Sequence, residues 1–304
     1  MNTVRQTLRT AAALSLFMIV LLIPLTASSQ SELEKTLKQF SADAVQGYIQ
    51  PVADLFGANM QAGFYHSAAI PQGVHFGFDI VGMGALVSDG QKTYDVKLPP
   101  GFVLAPGASR SSATIFGGKA TTFTNASGTA QYKAPGEGII NTSIFPLAAP
   151  QLTFGLYGTQ LKLRLIATPS LGGDKFPSTT LLGIGARHNV GQYIPSCPLD
   201  LAAGVFYTSF RVGDIIDFKG LAIGAQASKT ISVLTLYGGL AWEKSTMNLS
   251  YTSTDISSSP LVDTSIDGAN KFRFTVGFSL FGFLFADANF GSVTNFSGGI
   301  GFQI

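Results

Sequence analysis

The stretch "KFRFTVGFSLFGFLF", residues 271–285, sets Phe272, Phe274, Val276, Phe278 and Leu280 on one face of an extended chain and Lys271, Arg273, Thr275, Gly277 and Ser279 on the other. Successive side chains of a strand point to opposite faces, so a period of two reads as β-structure. A soluble sheet would turn its apolar face to a core and its polar face to water. What the same alternation does elsewhere decides between that sheet and one bathed in lipid.

Past residue 60 the alternation recurs. "VHFGFDIVGMGAL" (74–86) sets Val74, Phe76, Phe78 and Ile80 against His75, Gly77, Asp79 and Val81. "LKLRL" (161–165) sets three leucines against Lys162 and Arg164, and "LLGIGARHN" (181–189) sets Leu182, Ile184 and Ala186 against Gly183, Gly185 and Arg187. "SVLTLYGGLAWE" (232–243) sets Leu234, Leu236, Leu240 and Trp242 against Thr235, Tyr237, Gly239 and Glu243. The face opposite the apolar one is mostly Gly, Ser, Thr and Ala with an occasional charge. Lipid offers the backbone no hydrogen-bond partner and tolerates no open sheet edge, so this pattern predicts a closed transmembrane barrel, apolar outside and polar within. The last strand, "NFSGGIGFQI" (295–304), sets Phe296, Ile300, Phe302 and Ile304 against Asn295, Ser297, Gly299, Gly301 and Gln303.

Composition agrees. Of 304 residues 35 are Gly and 24 Phe, and the charged share is 12%, about half of the usual 25%. The N-terminus carries Arg5 and Arg9, an apolar run from Ala11 to Leu25 interrupted by Pro24, and then Ala27, Ser28 and Ser29, the layout of a signal peptide over residues 1–29. Its loss takes 19 basic and 17 acidic residues to 17 and 17, a balance that gives no sign of a nucleic-acid partner. The single cysteine, Cys197, cannot form an intramolecular disulfide.

Residues 30–58 form the one stretch with helical rhythm: Leu33, Leu37, Phe40, Ala44 and Tyr48 recur at spacings of three and four. Ser31 with Glu34 reads as a capping box, and Pro51 as a helix end or kink. The barrel, residues 59–304, is expected to hold about 12–14 strands, too wide for its own wall side chains to fill. A short N-terminal helical plug over residues 31–56 is the expected filling. With both termini on the periplasmic side, 252–270 becomes a long outer loop, Phe281-Gly282 and Glu243 to Ser245 become short inner turns, and "PSLGGDKFPS" (169–178) falls on the periplasmic side.

Charge on the lipid face would cost about 2–4 kcal/mol near the midplane. Lys162, Arg164, Arg187, Lys271, Arg273 and Asp287 are therefore expected to line the lumen or its rim, solvated, paired with Asp79 and Asp287, or favouring anionic and amphipathic solutes. Trp242, Tyr207 and Tyr251 are candidates for interfacial girdles, with Tyr237 on the inner face. His66, His75 and His188 match no metal spacing, and His188 has no serine nucleophile beside it. No catalytic, cofactor or metal site is predicted.

An N-terminal helix ahead of such a barrel resembles the fatty-acid-transporter-type (FadL-like) outer-membrane proteins, which carry an N-terminal hatch inside a 14-stranded barrel. The blocks "GANMQAGFYHSA" (57–68), "GIGARHNVGQYIPSCPLDLAAGVFYTSF" (183–210) and "ASKTISVLTLYGGLAWEKST" (227–246) are similar to an uncharacterised family of Gram-negative outer-membrane barrels. That resemblance implies the bacterial outer membrane, with surrounding lipid and the assembly machinery reading the C-terminal strand as partners. The function expected is a channel for small hydrophobic or amphipathic molecules. The alternative is a structural or adhesive barrel that uses the 252–270 loop.

Overall fold

The computed structural model describes residues 42–134, 136–168, 178–252 and 261–304; the proposed leader, the capping box and residues 253–260 lie outside them, and Leu261–Asp267 of the expected 252–270 loop form a strand instead. The first described element is the helix α1 (Ala42–Gln61). The strands follow as β1 (His75–Leu86), β2 (Thr93–Asp95), β3 (Ser111–Ala113), β4 (Thr122–Thr124), β5 (Gln131–Lys133), β6 (Ile144–Leu156), β7 (Thr159–Thr168) and β8 (Thr179–Asn189). Then come β9 (Asp200–Val212), β10 (Ile216–Ile231), β11 (Leu234–Thr252), β12 (Leu261–Asp267), β13 (Phe272–Leu280), β14 (Leu284–Phe290) and β15 (Asn295–Gln303).

Antiparallel pairing runs β1-β6-β7-β8-β9-β10-β11-β13-β14-β15, and β15 returns to β1. The ring is closed by ten strands rather than 12–14. The surplus candidates fall outside the wall for two reasons. β2 with β3 and β4 with β5 form three-residue pairs within the long β1–β6 connection, far short of the roughly nine residues a spanning strand needs. β12 pairs only with the far half of β11, from Thr246 to Thr252.

The outer face is apolar over the whole circumference, with Phe272 72% and Leu240 66% exposed and Phe76, Leu152, Phe274 and Ile300 about half so. In β13 the alternation of the opening stretch holds: Arg273, Thr275 and Ser279 are buried inward while Phe272, Phe274, Val276 and Phe278 face out. Among the described residues no helix is long and apolar enough to cross a membrane; the strands are the spanning elements. Tyr207 and Trp242 stand exposed on the outer face, whereas Tyr251 is buried inside the wall, which removes it from the expected girdle.

β1 begins and β15 ends at the same rim, termed the termini end of the strand series, whereas α1 begins at the opposite rim, so the described chain does not keep both its ends on one side as expected. Two tight hairpins close at the termini end: Tyr157 with Gly158 (φ 51° and 68°) and Phe281 with Gly282 (φ 55° and 74°). Paired positive φ is the mirror-image turn that matches strand twist, and it requires Gly or a strained residue. The opposite rim, the cap end, carries residues 87–143 with a small core of Val96, Phe123 and Ala134. Two expectations change here. Glu243 to Ser245 is no turn but the middle of the 19-residue β11, and that extra length shifts every earlier strand end. Thr168 pairs with Thr179 at the cap end, so β7 and β8 are connected there and not on the termini side; residues 169–177 of the expected turn lie outside the described residues.

α1 runs through Pro51 without ending. Proline inside a helix costs about 3 kcal/mol, and burial outweighs it: every residue from Leu55 to Ala62 is buried. Burial on all sides of a helix means that it is surrounded. α1 packs on β1, β6, β9, β10, β11 and β12, strands from different sides of the ring, and Phe56 reaches Phe145 (6.2 Å), Phe210 (4.5 Å) and Phe218 (5.3 Å) from within. The helix lies inside the barrel in its cap half. Residues 62–74 then descend through the other half to reach β1.

Candidate functional site: the plugged lumen

The inner wall changes character along its axis. Towards the cap end it presents Met83, Ala85, Phe145, Leu147, Leu181, Phe218, Met247 and Leu249, all buried against α1. The expected polar lumen holds only in the other half. There the wall presents Asp79, Gln151, Gln160, Lys162, Arg164, Arg187, Gln226, Glu243, Arg273 and Asp287, every one buried.

Those groups hold the plug by its backbone. A helix ends with four carbonyls lacking partners and the negative pole of its dipole. Two guanidinium groups from opposite walls meet that end: Arg164 donates from Nη2 to Ala62 O (3.0 Å) and from Nη1 to Met60 O (3.4 Å), and Arg273 Nη1 donates to Gln61 O (2.6 Å). Farther down Arg187 donates to Ser67 O, and Ser228 Oγ accepts from Ala68 N–H (2.9 Å).

Each guanidinium is fixed in turn by the wall. Arg164 donates to Gln151 Oε1 (3.0 Å) and lies 4.1 Å over the Phe64 ring. Arg187 donates to Gln160 Oε1 (2.8 Å) and Gln226 Oε1 (3.2 Å). Arg273 sits 3.2 Å from Glu243 Oε1 in an ion pair without hydrogen-bond angles.

Asp79 completes the cluster. It takes Lys162 Nζ at 3.6 Å, His66 Nε2 of the plug at 3.4 Å and Gln151 Nε2 at 3.1 Å. His66 also stacks on Phe285 at 4.6 Å. Asp287 has no such cation; it accepts from Tyr237 Oη (2.9 Å), Asn289 Nδ2 (2.6 Å) and the Ser297 hydroxyl.

Lys162, Arg164, Arg187, Arg273 and Asp287 thus line one lumen, as their parity in the strands requires. Lys271 does not: it precedes β13 at the cap rim, exposed, with Nζ 3.4 Å from Gly268 O. Charge alone was too narrow a signal. Gln151, Gln160 and Gln226 share the inward parity of Lys162 and Arg187 and could have been found by it. Glu243 shares the polar face of 232–243 with Thr235 and Tyr237, and only its assignment to a turn kept it out of the expected lumen set. His75 and His188 serve the termini rim, His75 beside Gln160 (2.9 Å) and His188 between Thr159 (2.8 Å) and Tyr193 (2.9 Å). The described residues place no group of three or more His, Cys, Asp and Glu together.

Chemically the lower lumen is a set of fixed donors spent on peptide carbonyls. Such contacts position a chain and can be exchanged for water, which apolar packing cannot.

The model of a family of unknown function, DUF6588, matches residues 8–304. No curated protein matches. Among solved structures, the Ralstonia pickettii toluene transporter TbuX is 7% identical, covering 85% of this chain and 98% of that one at a TM-score of 0.26. A mutant porin of Rh. blastica is 10% identical, covering 76% of this chain and all of that one at 0.15. Neither score establishes a common fold; the closed ring stands on its own strand pairing.

Proposed function

The chain belongs to DUF6588, a family of unknown function, and we propose that it is an outer-membrane barrel of a Gram-negative cell that lets small hydrophobic or amphipathic molecules cross when its inner plug yields. The observation that carries this reading is the contrast in how the plug is held. Its lower half hangs on side-chain donors to backbone carbonyls, contacts that water replaces at a net cost of about 0.5–1.5 kcal/mol each, somewhat more for charged donors. The apolar circumference supports a lipid setting, and β15, alternating to Gln303, is a fitting substrate for barrel assembly machinery. No catalytic role is part of the proposal.

The test is a staple. Ser67 Oγ and Ser228 Oγ lie 3.4 Å apart, so Ser67→Cys with Ser228→Cys, in a Cys197→Ser background, can lock plug to wall. Flux of uncharged solutes into liposomes should stop when the pair is oxidised and return on reduction. Equal flux in both states would sink the reading.

A second reading draws on the cap half, where α1 fills the lumen as a core would. A barrel without flux in either state would be structural or adhesive.

A further inference from the structure

At the termini end a recess of about 630 Å³ lies between the plug and the wall, within the range of roughly 300–1,000 Å³ usual for small-molecule sites. Ile70 and Pro71 of the plug and residues Phe281, Phe283 and Phe302 of the rim give it an apolar side. Phe281 and Phe283 stack at 5.9 Å and 22°, two parallel faces at the lipid boundary.

Its polar side carries His66, Asn189, Thr235 and Gln303 beside Ser279 and Asp200. Ser279 is 1% exposed, yet its hydroxyl has no hydrogen-bond partner among the described residues, and it lines the recess. An unpaired buried hydroxyl costs about 1–3 kcal/mol unless something in the recess meets it. The one acidic group in the lining is Asp200, and no Lys or Arg of the described residues joins it. The cations of the lumen are occupied above it on the plug backbone and on Asp79.

We propose that this recess binds an uncharged amphipathic molecule, its apolar body against Ile70 and the phenylalanines and a hydrogen-bonding head at Ser279. An anionic head is disfavoured, because it would meet the Asp200 carboxylate while the neighbouring cations, Arg187 and Lys229, are already engaged by the Ser67 and Pro198 carbonyls. The occupant also touches His66 and Ser67, the residues by which Asp79 and Arg187 hold the plug. Filling the recess therefore competes with the latch. This deepens the passage reading and rests on it for its physiological sense, though binding is measured separately from flux.

The experiment uses the full chain in nanodiscs and two fluorescent probes with one apolar body: 1-aminoanthracene, uncharged at neutral pH, and anthracene-1-carboxylate. The amine should bind saturably, above its partition into empty nanodiscs, and the carboxylate about tenfold more weakly, a difference one like charge at close range supplies. Asp200→Lys, a rim substitution, should erase or invert that preference. Ile70→Trp should remove saturable binding of the amine while the barrel keeps its heat-modifiable gel shift. Equal affinity for both probes, a preference unmoved by Asp200→Lys, or no saturable binding would overturn the proposal. Binding without flux would leave the recess standing and refute the passage reading; flux without binding would do the reverse.

Discussion

The helix α1 and the irregular segment 62–70 share one lumen but are held by different means. Around α1 the wall offers Phe145, Phe210, Phe218, Met247 and Leu249, and the contact is ring against ring and methyl against methyl. Around 62–70 the wall adds a polar set to the rings of Phe206 and Tyr237: Arg164 and Arg187 donate to backbone carbonyls, Ser228 Oγ accepts from Ala68 N–H, and Asp79 faces His66. A helix satisfies its own backbone and can sit among apolar groups, whereas an irregular segment cannot and must be met by polar ones. The change of secondary structure at Gln61 is thus also the change of lumen chemistry. One half of the plug behaves as core and the other as a reversible fastening.

The largest expected break of this contrast is Phe56→Ala. It removes a ring touching three wall aromatics and should cost about 3–5 kcal/mol, read as a lower midpoint of urea unfolding for the entire barrel. Arg164→Met should be smaller and local. It leaves the Met60 and Ala62 carbonyls unpaired, at about 1–3 kcal/mol, and should raise deuterium exchange over 60–68 with little change over 45–58. If exchange rose equally in both, the two halves would be one cooperative unit.

Asn59 marks the border, donating to Phe145 O (2.6 Å) while Asn295 Nδ2 reaches Ala58 O (2.9 Å). Asn59→Ala should cost about 1 kcal/mol and speed exchange at the end of α1 alone.

The smallest effect concerns Asp54 at the cap rim. Burial raises its carboxyl above the ordinary 3.8, against hydrogen bonds from Gln50 and Ala269 N–H. Because the folded value is raised, the neutral acid contributes stability at low pH that is lost as pH rises through it. Asp54→Asn should therefore gain on wild type as pH climbs above about 4, and a thermal midpoint difference flat in pH would contradict this.

The sequence could be read where the two faces of a strand differ and not where they agree. In "LKLRL" and "FRFTVGF" lipid is on one side and the polar lumen on the other, so parity alone places Lys162, Arg164 and Arg273. Facing α1 both sides are apolar, as at Val81, Met83 and Ala85, and alternation no longer marks inside from outside. The strand number was overcounted for a related reason: three-residue pairs such as β2 with β3 carry strand-like residues but no length. Pro51 does not end α1, because the packing around the helix outweighs the local cost of the proline. Glu243 misled because a charge within β11 resembles a turn until its partner Arg273 is known. No single-strand pattern reveals that arginines end on plug carbonyls, since that meeting depends on residues about a hundred or more positions apart.

The route of the plug also bears on assembly. Its chain enters among the cap-end residues, where Tyr48 Oη donates to Glu137 O, traverses the ring and turns directly into β1, whose other neighbour is β15 at the far end of the sequence. A threaded segment of this kind cannot be inserted into a finished cylinder without passing a helix through it. Closure of the β1–β15 seam around a plug already in place would avoid that passage, and the one seam thus joins the exit of the plug to the end of the chain.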